Sequence, residues 1–317
     1  MNKKRYICSC CILFAMLLIS IIFITQNPVN KEKALPVSIP APGEKVDKAN
    51  DIKSIYCFQI ADTYLDDSML DALLKQGNPI DNLKKFNKDI NESFEFIEIT
   101  KQPLEVVGTY YEGSNIFVVS PRNNKDLRNQ IVDVGNKEVY VTPLKAIQLG
   151  QTAYKLVSDC LDMGRGFNGA DFSYSKGDNI PVILGNDYKQ FYQLGDNIVV
   201  NYLNRDVTLD IIGFFKSDLH LKINNNSYDL DTYICSPHFD IIDVIDDEDK
   251  IFQRRYYFQR NNGYIRIDSN LITDVSDKSN LEEINLESYT SKIQDIAEKN
   301  ALEYISVERI TKMEILN

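Results

Sequence analysis

The hydrophobic pattern opens with an uncharged apolar run, ICSCCILFAMLLISIIFI (Ile7–Ile24), behind the basic start MNKKRY. Its length sits at the lower edge of what spans hydrocarbon. No small-residue A-x-A-like site follows it, as a cleaved signal peptide would need. The pattern predicts an uncleaved transmembrane anchor over residues 1–26. Lys3, Lys4 and Arg5 precede the span, so the positive-inside rule puts the rest of the chain outside the cytoplasm. Residues 27–52 hold Pro28, Pro36, Pro40 and Pro42 among charged and small residues. Proline fixes φ and removes a donor, which predicts an extended linker.

From position 53 the pattern is mixed. Lys53–Ile60 reads as a strand, and Tyr64, Leu65, Met69, Leu70, Leu73 and Leu74 share a helical face, with Asp62 or Thr63 as cap and Gly77 as stop. A second helix is expected over Ile80–Ile90, strands at Phe94–Thr100, Asn115–Ser120 and Val139–Pro143, and a helix over Leu144–Leu161. Two apolar runs, IPVIL and NIVV, then flank GNDYKQFYQLGD. There Gly185 and Gly195 bracket a short helix, with Leu194-Gly195-Asp196 as the return turn. Arg205–Phe215, Asp229–Cys235 and Ile251–Phe258 read as strands. Asn262-Gly263 is a hairpin signal, because a type I′ turn needs positive φ at both central positions. Leu281–Lys299 carries the helical stripe Tyr289, Ile293, Ile296 and Ala297, and a last strand is expected at Glu303–Val307. The class is α+β. An N-terminal transmembrane helix leads into a body, 53–317, whose two ends form an α+β subdomain around a β-rich insert at about 163–270.

Charge narrows the partners. The chain of 317 residues carries a net −11, and its body is more negative still once Lys3, Lys4 and Arg5 are set aside. An acidic body is a poor match for nucleic acid, whose affinity rests on Lys and Arg neutralising phosphates. Arg254, Arg255, Arg260 and Arg266 alternate with Phe252, Tyr256, Tyr257, Phe258 and Tyr264. On a hairpin that places aromatics on a buried face and arginines on a solvated one.

Catalytic chemistry is sparsely supplied, and no enzymatic activity is expected. His220 and His238 are the two histidines, and neither G-x-S-x-G nor G-x-x-x-x-G-K-[ST] occurs. Cys235-Ser236-Pro237-His238 sets a thiol near an imidazole, but neighbours at a strand end rarely aim at each other. Asp243–Lys250 is acidic, yet lacks the spacing and the glycine of a calcium loop. No cofactor or metal site is read. Cys8, Cys10 and Cys11 lie at the start of the apolar run. Cys57, Cys160 and Cys235 are far apart and odd in number, which allows at most one disulfide and is read as three buried thiols.

Three segments together resemble the extracytoplasmic domain of MacB/FtsX-type ABC transporter permeases: Met163–Phe172, Ile180–Val200 and Val207–Phe215. Gly164, Arg165 and Phe167 match its G-R-x-F-like element, although Gly166 stands between. Val182–Gly185 match its apolar strand ending in glycine, Leu194-Gly195-Asp196 its turn, and Ile212-Gly213-Phe214 its V-x-G-hydrophobic strand. These motifs are architectural. The resemblance implies a non-catalytic, membrane-anchored ectodomain in export or mechanotransmission. The family's further transmembrane helices have no counterpart after Ile24. The implied partners are therefore the membrane, an ABC ATPase and a multi-span permease in trans, with homo- or hetero-oligomers open. The other reading is a stand-alone anchored surface-binding or adaptor module.

Overall fold

The computed structural model describes residues 53–63, 79–113, 115–120, 123–133, 137–243, 247–268 and 286–316. Among them no helix is long and apolar enough to cross a membrane. The apolar run Ile7–Ile24, the linker 27–52, the helix expected at Tyr64–Leu74 and the start of the one expected at Leu281 lie outside the described residues. What is described is a mixed α+β, sheet-rich body.

Strand β1 (Lys53–Asp62) is followed by helix α1 (Pro79–Ser93), which buries Ile80, Leu83, Phe86, Asn87 and Ile90 at helical spacing. Short strands β2 (Phe96–Ile97), β3 (Ile99–Lys101) and β4 (Leu104–Val107) precede β5 (Gln130–Asp133), β6 (Glu138–Leu144) and β7 (Ala146–Leu149). Helix α2 (Gln151–Val157) leads through a 3₁₀ turn to β8 (Leu161–Gly164). Then come β9 (Ser173–Tyr174), β10 (Ile180–Leu184), β11 (Asn197–Tyr202), β12 (Arg205–Phe215), β13 (His220–Ile223), β14 (Asn226–Asp229), β15 (Ile234–Pro237) and β16 (Asp240–Ile241). Helix α3 (Asp247–Arg260), strand β17 (Gly263–Arg266), helix α4 (Glu287–Lys299) and strand β18 (Tyr304–Leu316) complete the order.

Two large sheets form. The first has the order β14-β13-β18-β1-β17-β2. Its axis is the antiparallel pair β1–β18, running from Lys53↔Ile315 to Asp62↔Tyr304. The second has the order β3-β7-β15-β10-β12-β11-β4-β6-β5, with β8 added beside β12. It is mixed, since β10 runs parallel to β12 and β15 parallel to β7. Strand alternation then divides the core. Phe58 and Ile60 of β1 join Leu83, Phe86 and Ile90 of α1 in one cluster, while Cys57 joins Ile97, Ile147, Met313 and Ile315 in another. Fully burying one side chain such as Phe86 contributes about 1.5–3 kcal/mol.

The structure revises several expectations from sequence. Ile251–Phe258 is not a hairpin strand but part of α3. Its buried positions are Asp249, Phe252, Gln253, Tyr256, Tyr257 and Arg260, a helical stripe rather than an alternation. Aromatic β-propensity masks that stripe, and Asn262-Gly263 ends a helix and starts β17 instead of turning a hairpin. The helix expected over Leu144–Leu161 is confined to Gln151–Val157. Ala146–Leu149 is a strand buried on both faces between β3 and β15, and such a run shows no period that separates it from a helix.

Asn115–Ser120 forms only isolated bridges, at Phe117 and Val119. Asp229–Cys235 is interrupted by a 3₁₀ turn over Leu230–Thr232. The last strand runs on to Leu316, paired with β1 and β13 past a register shift opposite Phe58/Gln59 that breaks its alternation in sequence. The strands within 163–270 fall into three sheets: β13, β14 and β17 pair in the first, β9 and β16 pair with each other, and the rest join the second, which begins already at Ile99.

Candidate functional site

The residues singled out at Gly164, Arg165, Phe167, Gly185, Leu194, Gly195, Asp196 and Gly213 come from three separate segments. The fold brings most of them to one corner of the second sheet. Strand β8 lies antiparallel to the end of β12, with Gly164 opposite Gly213 and Met163 opposite Phe214. Arg165 N donates to Ile212 O at 2.9 Å. Gly164 has φ +83°, and a Cβ there would overlap the Ile212 carbonyl and approach Leu194 Cδ2 to 2.9 Å. Both the conformation and the space demand glycine.

The turn before β11 is tied to the same strand. Gly195 N donates to Ile211 O at 2.9 Å, and Ile211 N donates to Asp196 O at 3.0 Å. The Asp196 carboxylate folds back to accept from Gln193 N at 2.8 Å. At the other end of this segment Gly185 N donates to Tyr233 O, and a Cβ on Gly185 would overlap the carbonyls of Leu230 and Asp231. Between the glycines, Asn186–Gln190 forms a 3₁₀ turn that buries Tyr188 completely. The Tyr188 hydroxyl donates to Lys145 O at 3.4 Å, and burial pushes its pKa well up.

Arg165 and Phe167 clasp the neighbouring loop. Arg165 Nη1 and Nη2 reach Asp171 Oδ2 and Oδ1 at 2.6 and 3.1 Å, a bidentate pair that reinforces the guanidinium charge. Asp171 Oδ2 also accepts from Asn168 N, while Asn168 Oδ1 accepts from Ala170 N, closing a capping box. Phe167 packs 4.8 Å from the ring of Tyr154, and its N–H donates to that hydroxyl. Beside this corner a hollow of about 460 Å³ is lined by Asp162, Asn186, Lys189, Lys216 and Ser217. Lys189 Nζ is spent on Asp162 Oδ2 at 2.7 Å and Asn186 Oδ1 at 2.8 Å.

The thiol–imidazole neighbours part company. Cys235 belongs to the cluster with Ile147 and Phe215, whereas His238 packs toward Tyr256 on the α3 side. Their odd separation along the strand line sends the two side chains to opposite faces. Burial pushes the Cys235 thiol up, away from thiolate. Cys57, Cys160 and Cys235 are all buried thiols.

Sequence reasoning missed a buried ionic hub. Glu98, between β2 and β3, receives Arg260 Nε at 2.9 Å and Asn87 Nδ2 at 2.7 Å on Oε1. Arg260 Nη1 reaches Asp240 Oδ1 at 2.6 Å and Phe239 O at 3.1 Å. Arg260 thus belongs to the core and not to a solvated basic face, whereas Arg266 forms an exposed pair with Glu95 at 2.8 Å. The detectable signal was the helical phase of α3, which puts Arg260 in line with Phe252, Tyr256 and Tyr257. No family model, no curated protein and no solved structure matches this chain.

Proposed function

We propose that the chain is a membrane-anchored extracytoplasmic domain of the MacB/FtsX permease type, taking part in export or mechanotransmission without chemistry of its own. In this reading Ile7–Ile24 is a single transmembrane helix with its N-terminus in the cytoplasm. The body is an α+β subdomain made by both chain ends with a β-rich insertion, and an ABC ATPase and a multi-span permease act beside it.

One observation carries most weight. Gly164, Arg165, Leu194, Gly195, Asp196 and Gly213 of the resemblance meet around the end of β12 through backbone hydrogen bonds and close glycine contacts, while Gly185 closes the same segment against Leu230 and Asp231. The β1–β18 pair adds support. It places Lys53 beside Ile315, so a pull or push arriving through the linker acts directly on the central strands of the first sheet.

A reporter fused after Asn317, active only outside the cytoplasm, tests the reading in cells. Activity is expected. A cytoplasmic reporter would overturn both the anchor orientation and the ectodomain assignment.

A further inference from the structure

Helix α3 docks through an unusual share of polar groups. Gln253, Arg260 and Asn261 are buried along with Tyr256 and Tyr257. Gln253 Oε1, Arg254 Nε, Gln259 Oε1 and Asn261 Oδ1 are buried with no hydrogen-bond partner. Groups left in that state weaken the docking of the element that carries them. In the sheet against which the helix packs, Thr100, Gln148 and Ser236 lie side by side across β3, β7 and β15, and His238 follows directly.

His238 is 1 % exposed. Its Nε2 lies 3.1 Å from Thr100 Oγ1, its Nδ1 has no partner, and its ring centre is 5.9 Å from that of Tyr256. The next residue's carbonyl, Phe239 O, accepts from Arg260 Nη1 and from the Tyr256 hydroxyl. Imidazole and guanidinium therefore share one buried compartment. The ionisable groups around it are Arg260, Tyr256 and Tyr257 of α3, Glu98 before β3, Asp240 of β16 and Tyr202 of β11, and α3 also carries the buried Asp249. Glu98 and Asp240 are engaged by Arg260, and Asp249 by Lys176 and Arg205, so an imidazolium formed here would have no counter-ion of its own.

We propose that His238 is an acid-sensitive latch for α3, with proton uptake at its ring coupled to lifting of residues 247–260 from the second sheet. The docked compartment accepts the neutral ring and rejects the charged one, because a buried cation without a counter-ion is strongly disfavoured. Burial, then Arg260, holds the His238 pKa well below its ordinary 6.5. Above that value the ring is neutral whether docked or released, and docking is unaffected. Below it the released form binds the proton and the docked form does not. Opening is then favoured about tenfold per pH unit until the docked pKa is reached.

Amide hydrogen exchange on the full-length protein in detergent micelles, followed from pH about 7.5 to about 5 and corrected for intrinsic rates, tests the latch. Wild-type exchange in 247–260 is expected to be flat above pH about 6.5 and to rise about tenfold per unit below it, while β1 and β18 stay protected. His238→Gln, which cannot take the proton, is expected to abolish the rise. An equal rise in His238→Gln would overturn the proposal. Should that variant fail to fold, the wild type still decides. A flat profile through pH about 6.5, or a rise shared equally by β1 and β18, would also overturn it.

Discussion

Glu98 and Arg260 stand 162 positions apart and form a buried ion pair, with Arg260 Nε 2.9 Å from Glu98 Oε1. Their side chains are 5 % and 8 % exposed. The pair joins the β2–β3 link to the end of α3, and Asn87 of α1 bonds the same carboxylate. Removing one member leaves the other charge buried, so Glu98→Ala is expected to cost about 3–5 kcal/mol. Glu98→Leu combined with Arg260→Met leaves no buried charge unpaired, since Asp240, the other partner of Arg260, is 70 % exposed, and should recover most of that loss. Urea unfolding of the three proteins measures it; a double variant as unstable as the single one would contradict the assignment.

Gly185 and Gly169 separate space from composition. A methyl on Gly185 would overlap two carbonyl oxygens, while nothing lies within 4 Å of one placed on Gly169. Gly185→Ala is expected to destabilise by about 1–3 kcal/mol or more, and Gly169→Ala to stay within about 0.5 kcal/mol. Thermal unfolding compares them directly.

The phase of α3 is testable by truncation. Tyr257 is 2 % exposed and Ile251 48 % exposed, as a helix requires. Tyr257→Ala should cost about 3–5 kcal/mol, the range for a large buried aromatic. Ile251→Ala should cost well under about 1 kcal/mol. Equal losses would argue for a different packing of this segment.

Acid should weaken the fold through two carboxylates. Asn300 and then Lys299 hold the Asp89 carboxyl below its usual range, and Lys312 does the same for Glu314. A depressed carboxylate pKa contributes stability above the ordinary value of 3.8 or 4.5. That contribution is lost as pH falls through the lower, folded value. The urea midpoint should therefore drop below pH about 4.5. Asp89→Asn with Glu314→Gln should flatten that drop.

How much of this could be read from sequence depended on period and burial. Helix α1 and strand β12 were legible because each shows a buried stripe or alternation, and β1, buried on both faces at Cys57 and Phe58, was legible from its run of apolar and aromatic strand formers. Two errors have opposite causes. Ala146–Leu149 is buried on both faces, so its apolar run carries no period. Helix α3 does carry a helical period, but written in Tyr, Gln and Arg, which a hydrophobicity pattern does not count as core. The return turn at Leu194-Gly195-Asp196 was visible locally. The meeting of Gly164 with Gly213 and Leu194 was not, since it depends on β8 joining the edge of β12. In the Glu98–Arg260 hub the phase of α3 marks Arg260, but Glu98 was invisible for the same reason: a charged residue in sequence says solvent unless its distant partner is known.

The central claim is that this body works beside an ATP-driven transporter, and affinity purification of the full-length anchored protein from solubilised membranes of its own cells tests it most directly. Co-recovery of an ABC ATPase carrying a phosphate-binding loop, together with a multi-span permease, is the expected result. Recovery of folded, membrane-anchored protein with neither of them would contradict the account and leave the stand-alone surface module in its place.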